Sequence, residues 1–161
     1  MDPLLAEYFK KYHIAYELYE HPAVFTVAES KSVTQHIPGL RTKALFLRGE
    51  HTRFCLVCMP GEERLNMKAL RVFLKLKELH FGTPEELKQE LHTTPGSVSL
   101  FSLINARSTT LILDQHVWEA ERIGAHPNIN TATLVITHAA LERFCTSLLH
   151  PYKILEVGSN A

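Results

Sequence analysis

Three Pro-Gly pairs, Pro38-Gly39, Pro60-Gly61 and Pro95-Gly96, punctuate the chain where no helix or strand can continue undisturbed. Around them every apolar run is short, and its spacing alternates between helical and extended periods. Leu4, Leu5, Tyr8, Phe9 and Tyr12 recur at helical spacing and predict a helix over 3–13. Residues 15–20 alternate as a strand that closes at His21-Pro22, and a second helix is predicted over 27–36. Residues 44–48 and 53–59 read as strands joined by a hairpin through 49–52. Asn66 is a helix cap for 67–74, 77–81 is a short strand, and Thr83-Pro-Glu-Glu86 starts a helix that ends near His92. The segment 93–99 must be a loop. Strands follow at 109–113, 122–125, 132–136 and 152–157, with a helical turn at 116–120 and a Thr137-capped helix over 138–148. Strands and helices are interspersed without strict alternation. The expected fold is therefore α+β, a mixed sheet with helices packed around it. At 161 residues, with no internal repeat and no long linker, one domain is expected.

Composition narrows the function classes. No apolar run approaches the roughly 20 residues of a membrane-spanning helix, and the early acid Asp2 argues against a secretory leader. Three cysteines cannot all pair, so a reduced, cytoplasmic setting is expected. Cys55 and Cys58 have redox or zinc spacing, yet they lie in a predicted strand, where positions three apart point to opposite faces. The ten histidines are scattered and form no His-x-x-x-His pair, so neither a metal nor another cofactor is expected. Phosphate-loop, dinucleotide-binding and G-x-S-x-G signatures are all absent. Net charge is zero, but residues 41–77 hold nine bases and three acids, a local +6. Such a segment fits phosphates or a plain solvated face equally well.

Three segments carry candidate chemistry. Lys43 stands at the mouth of the apolar strand 44–47 and is suited to hold a phosphate or ribose as a point charge. Pro95-Gly-Ser-Val-Ser99 is a loop whose glycine permits close backbone approach by a ligand. Gly124-Ala-His-Pro-Asn-Ile-Asn130 places a histidine and two amides in a Pro-marked loop before a strand. Taken singly, each is more often a strand end, a turn or a self-satisfied loop.

In this order and spacing the segments resemble the YbaK/prolyl-tRNA-synthetase-associated editing family. The matching residues are His21-Pro-Ala-Val-Phe-Thr-Val27, Gly39-Leu-Arg-Thr-Lys-Ala-Leu-Phe-Leu-Arg48, Thr94-Pro-Gly-Ser-Val-Ser-Leu-Phe101 and His126-Pro-Asn-Ile-Asn-Thr-Ala-Thr133. The similarity runs from about residue 3 to 147, nearest to the free-standing alanyl-tRNA(Pro) deacylase branch. The resemblance implies a mainly antiparallel, barrel-like mixed sheet surrounded by helices. It also implies hydrolysis of a small amino acid, alanine above all, from the acceptor end of mischarged tRNA(Pro), with prolyl-tRNA synthetase as a further partner and neither DNA nor membrane involved. Carried over by position, Lys43, Gly96 and Ser97 serve the reaction. Val98, Ser99, His126, Asn130, Phe25 and Phe46 contact the substrate, with Phe25, Phe46 and His126 as walls of a size filter. An aminoacyl ester is already activated, so an oriented water can attack it without a metal or covalent nucleophile.

Five positions depart from the family pattern. Leu100 replaces a loop proline, Ala44 an asparagine, Ser102 a glycine, Ala106 an acid and Asn128 an apolar residue. A looser loop and a more polar pocket are the expected consequences. The alternative function is a catalytically weak aminoacyl-tRNA-binding module attached to a synthetase.

Overall fold

A computed structural model describes residues 1–23 and 27–159 of the chain. Its strands are β1 Glu17–Glu20, β2 Leu40–Gly49, β3 Phe54–Pro60, β4 Arg64–Leu65, β5 Leu79–Phe81, β6 Thr110–Asp114, β7 Arg122–Ala125, β8 Ala132–Thr137, β9 Tyr152–Leu155 and β10 Gly158–Ser159. Its helices are α1 Pro3–Lys11, α2 Val27–Thr34, α3 Met67–Phe73, α4 Pro84–Leu91, α5 Gln115–Glu119 and α6 His138–Ser147. Short 3-10 segments occupy Glu50–Thr52 and Leu100–Asn105.

The main sheet has the order β1-β8-β7-β2-β3-β6-β9, with β5 also on β2, while β4 and β10 form a separate small ribbon. Five of the eight ladders are antiparallel; β2·β7, β3·β6 and β6·β9 are parallel. β2 is the shared strand. One of its edges pairs with β3 throughout, while the other takes β7 at Leu40 and Arg41 and β5 at Leu47–Gly49. The sheet therefore divides into two halves that meet along this strand.

Period-two alternation sorts the side chains of β2 and β3 onto two faces. Ala44, Phe46, Leu56 and Cys58 join the larger core, with α1, α4, α5 and α6. Leu45, Leu47, Cys55, Val57 and Met59 join a smaller cluster under α3. Cys55 and Cys58 thus lie on opposite faces, as their spacing requires. Burial pushes each cysteine thiol up to about 12, so none is a thiolate near neutral pH.

Local chemistry explains the helix ends. Thr83 and Glu86 form a reciprocal capping box at α4, Asn66 caps α3 and Thr137 caps α6. The 3-10 segment over 100–105, unforeseen in the sequence, carries a second capping box made by Ser99 and Ser102. It delivers Leu100, Phe101 and Leu103 to the larger core, where Phe101 meets Phe9 and Phe144 edge to face, each with centroids 5.3 Å apart. Leu100 in place of the family proline is therefore a core residue, and the cap supplies the local order expected to be lost. No helix among the described residues is long and apolar enough to cross a membrane.

Candidate active site

The parallel ladder between β2 and β7 pairs Leu40 with Ile123 and Arg41 with Gly124. Carrying that register two residues on brings Lys43 level with His126. The faces agree. Ile123 and Ala125 point into the larger core, which turns Gly124 and His126 to the other side. Ala44 likewise points into that core, which leaves Lys43 on the side of His126. On β8, Leu134 and Ile136 are core, so Thr133 projects onto the same outer face. Three strands, β2, β7 and β8, therefore direct lysine, histidine, threonine and glycine to the side away from the main core.

The outer face is organised by two histidines. His21 donates through Nδ1 to the Pro22 carbonyl at 2.8 Å, and its Nε2 meets the Thr133 hydroxyl at 2.9 Å. His126 points Nδ1 toward the Ala132 carbonyl at 3.5 Å. Burial holds His126 below the ordinary histidine value. The carbonyl of Ala132 opposes that shift and nearby His21 reinforces it. His126 is thus a neutral ring at pH 7, able to accept a hydrogen bond. Between β7 and β8 a narrow recess is lined by Thr34, Ile37, Pro38, Gly39, Arg41, Gly124 and Thr133. A Cβ on Gly124 would stand 3.2 Å from Thr133 Cγ2, so a glycine here keeps that recess open.

Lys43 is half-buried, and its ammonium donates to the Glu63 carbonyl. Desolvation lowers its pKa below the usual lysine value; the Glu63 carboxylate opposes this and Arg64 adds to it. The lysine is therefore held at one end and drawn by a single acid. It remains available as a cation for a bound anion.

The Gly96 loop is joined to the segment after His126 through Asn128. Gly96 is exposed at φ +95°, and a Cβ there would meet nothing within 4 Å, so the turn demands glycine for its dihedral and not for space. Ser97 is half-buried, its N–H donating to the Thr94 carbonyl at 3.1 Å. Val98 packs against the larger core. Ser99 is buried; its hydroxyl accepts from the Phe101 N–H at 3.0 Å and donates to Asn128 Oδ1 at 2.9 Å. The Ser102 hydroxyl also donates to Asn128 Oδ1, at 3.0 Å, and accepts from the Ser99 N–H. The Asn128 amide in turn donates to Phe101 O and Asp2 Oδ2, each at 3.4 Å. Asn128, at φ 63°, thus locks the His126–Asn130 segment onto the Gly96 loop and the N-terminus.

Two family departures, Ser102 and Asn128, therefore belong together. Each is polar where the pattern is not, and each satisfies the other, so the polarity of Asn128 is directed into the protein. The placements of the expected residues differ. Lys43 and His126 fall on the outer face by strand alternation, while Gly96, Ser97, Val98 and Ser99 form a loop on the side of the larger core that Asn128 ties to the His126 segment. Asn130 is half-buried in the same segment as His126. The structure does not bring Phe46 to that face. It is 5% exposed, on the core side of β2, and stacked on Phe54 at 5.1 Å. Phe25 lies outside the described residues. Sequence reasoning missed Arg41, Gly124 and Thr133 as neighbours of the recess; period-two counting from Lys43 and His126 selects the first two, and Thr133 follows only from the β7–β8 pairing.

One possible metal-binding set occurs among the described residues, Glu63, Asp114 and His116, whose ligand atoms lie within 4.8 Å of one another. Asp114 is fully buried. Its carboxylate caps α5 through the His116 N–H, contacts His116 Nδ1 at 3.1 Å and accepts from Val157 N–H. Those bonds account for the buried charge without an ion.

Residues 21–144 match the aminoacyl-tRNA editing domain. The chain belongs to the aminoacyl-tRNA editing domain family. Prolyl-tRNA synthetase associated domain-containing protein 1 of Danio rerio is 34% identical over 155 residues, covering 94% of this chain and 84% of the relative. Prolyl-tRNA editing protein ProX of Acetoanaerobium sticklandii is 27% identical over 147 residues, covering 89% and 90%. A crystal structure described as a candidate trans-editing enzyme for prolyl tRNA synthetase superposes with a TM-score of 0.76 at 17% identity, over 99% of both chains. At that identity the match concerns the fold, and the mixed α+β architecture of the editing domain is shared in full.

Proposed function

We propose that the protein is a trans-editing deacylase that removes a mischarged small amino acid, alanine foremost, from tRNA(Pro). What supports this reading is the β2–β7 register, which extended two residues past its last pair sets Lys43 opposite His126, together with a glycine turn that Asn128 ties to the His126 segment. A cation for the terminal nucleotide, a neutral histidine and a fixed backbone turn suffice for an activated ester. Lys43 anchors the 3′ nucleotide. The Gly96–Ser97 turn orients the attacking water and stabilises charge developing on the ester carbonyl. His126, Val98 and Asn130 surround the aminoacyl group, and Ser99 acts by holding the turn. Phe46 supports this wall from the core. A synthetase pocket shaped for proline cannot strongly reject smaller amino acids, and a second hydrolytic site corrects the error. Prolyl-tRNA synthetase is accordingly the partner whose product this protein inspects. No metal enters the scheme.

The test is release of labelled amino acid from tRNA(Pro) charged separately with alanine, serine, cysteine and proline. Selective loss of alanine, at least 100-fold slower in Lys43→Ala, is the expected result. Equal rates for the wild type and Lys43→Ala would sink it, and selective loss of another small amino acid would reassign the substrate.

A further inference from the structure

The outer face that bears Lys43 continues along β2 toward the β2–β3 turn, covered in its middle by α3. Most of the unbalanced positive charge of residues 41–77 lies along it. Arg53 is in phase with Cys55, and Lys153 is the β9 partner of Ile112, so both project onto the face of the smaller cluster. Together they rim a cleft of about 370 Å³ floored by Cys55, Leu74, Leu76 and Ile112. Lys75 and Lys77 flank Leu76 and are exposed. Lys68 is exposed on α3, between this cleft and Lys43. Among the described residues, none of these five cations is engaged in an ion pair. The acid of the adjoining turn, Glu50, has its carboxylate bonded by the N–H groups of Lys77 and Glu78; these and its own N–H hold it down to about 2, with a smaller attraction from Arg53. Glu78 itself is exposed beside Lys77. Phe73 is 55% exposed on α3, where it borders a shallow recess with Leu155 and Glu156.

Resting on the deacylase reading above, we propose that this basic track is where the RNA body docks. Lys68, Lys75, Lys77, Arg53 and Lys153 contact backbone phosphates of the acceptor arm, and Phe73 offers a stacking surface. Charge complementarity selects the occupant, because a run of exposed cations outside any ion pair forms the electrostatic footprint of a nucleic acid. Geometry agrees with it. Seven strand residues separate Lys43 from Glu50, about 23 Å at the usual rise. An RNA whose 3′ end lies at Lys43 has its duplex phosphates at such a remove and not at the ester.

The probe is uncharged tRNA(Pro) transcript, titrated by fluorescence anisotropy at several salt concentrations. The wild type is compared with the triple variant Arg53→Ala/Lys75→Ala/Lys77→Ala and with a control triple, Lys10→Ala/Lys88→Ala/Arg143→Ala, at exposed bases elsewhere. The track triple is expected to bind at least ten-fold more weakly and to lower the log–log salt slope by about 2 to 3. The control is expected to change affinity less than two-fold. Equal losses in both triples, no loss in the track triple, or no binding by the wild type would each overturn the proposal. Hydrolysis of a short aminoacylated CCA-ended oligonucleotide separates docking from chemistry. The track triple keeps the wild-type rate there if docking alone is affected, and a matching loss overturns the docking assignment. Failure of the wild type to hydrolyse that oligonucleotide, with the tRNA binding pattern intact, would strike the deacylase reading and leave the surface standing.

Discussion

The two faces of the β2–β3 pair are built from the same alternating strands and have opposite characters. Among the described residues, 22 buried residues form the cluster on one side and seven form the cluster on the other. The first side is closed by four helices and a triad of phenylalanines. Among the described residues the second is covered by the short α3 with Leu65 and Val157, and Lys43, His126 and Thr133 fall on it. One face carries most of the core and the other a small one. Strand alternation enforces the division, because a side chain that packs in the core leaves its neighbour outside.

That contrast is open to measurement. The largest expected effect is in the first face: Phe101→Ala removes a ring locked between Phe9 and Phe144 and should lower unfolding free energy by about 3–5 kcal/mol. Leu70→Ala, in the smaller cluster, should remain near the low end of the range, about 2 kcal/mol. Urea titrations giving equal losses would break the comparison of a stabilising face with a lightly packed one.

Next in size is the lock that joins the loops. Asn128→Gly keeps the positive φ but strands the Ser99 and Ser102 hydroxyls, and a loss of about 1–3 kcal/mol is expected with a parallel fall in deacylation. A double-mutant cycle with Ser102→Ala should give a coupling of about 1 kcal/mol; strict additivity would dissolve the pairing of these two family departures.

A smaller effect concerns Glu90, 6% exposed on α4, whose Oε1 accepts from the N–H of Arg107 and Ser108 and from the hydroxyls of Ser108 and Thr109. Burial would raise this carboxyl, but the combined hydrogen bonds outweigh it and the net shift is downward. A depressed folded-state pKa means that its contribution is complete above the unfolded value of about 4.3 and is lost as pH falls through the folded one. Glu90→Gln is therefore expected to cost about 1–2 kcal/mol at pH 7 and progressively less in strong acid. An undiminished difference at low pH would refute the assignment.

The smallest effect belongs to His126. Its folded-state pKa is below the unfolded one, so the unfolded chain binds more protons in the window just under pH 6.5 and stability falls there on acidification. Deacylation should decline over the same window and be level above it. A His126→Asn variant whose pH profile follows the wild type would remove this ring from the site.

Much of the architecture was legible because its signals are local. Pro-Gly breaks, the Thr83 capping box and the period-two apolar runs each specify a few successive residues, and the structure follows them to within a few positions. The 3-10 segment over 100–105 escaped notice because Ser99 and Ser102 read as ordinary loop serines until Asn128, 26 residues past Ser102, supplies the second acceptor contact. The paired strands β4 and β10 were equally hidden, being two residues each and held by long-range pairing alone.

The site divides in the same way. The amino-acid sequence by itself determined the fold class, the two-faced strands and the inert spacing of Cys55 and Cys58, since each depends on neighbours within a few residues; Lys43, Gly96 and His126 were singled out by the family resemblance of whole segments. Only the tertiary structure decided that the Lys43 strand runs parallel to the strand leading to His126, that Phe46 faces the core, and that Asn128 holds two loops together. Those facts depend on the parallel register of β2 with β7 and on hydrogen bonds between segments far apart in the chain. Such pairings are selected by the packing of the whole sheet, and no local pattern encodes them.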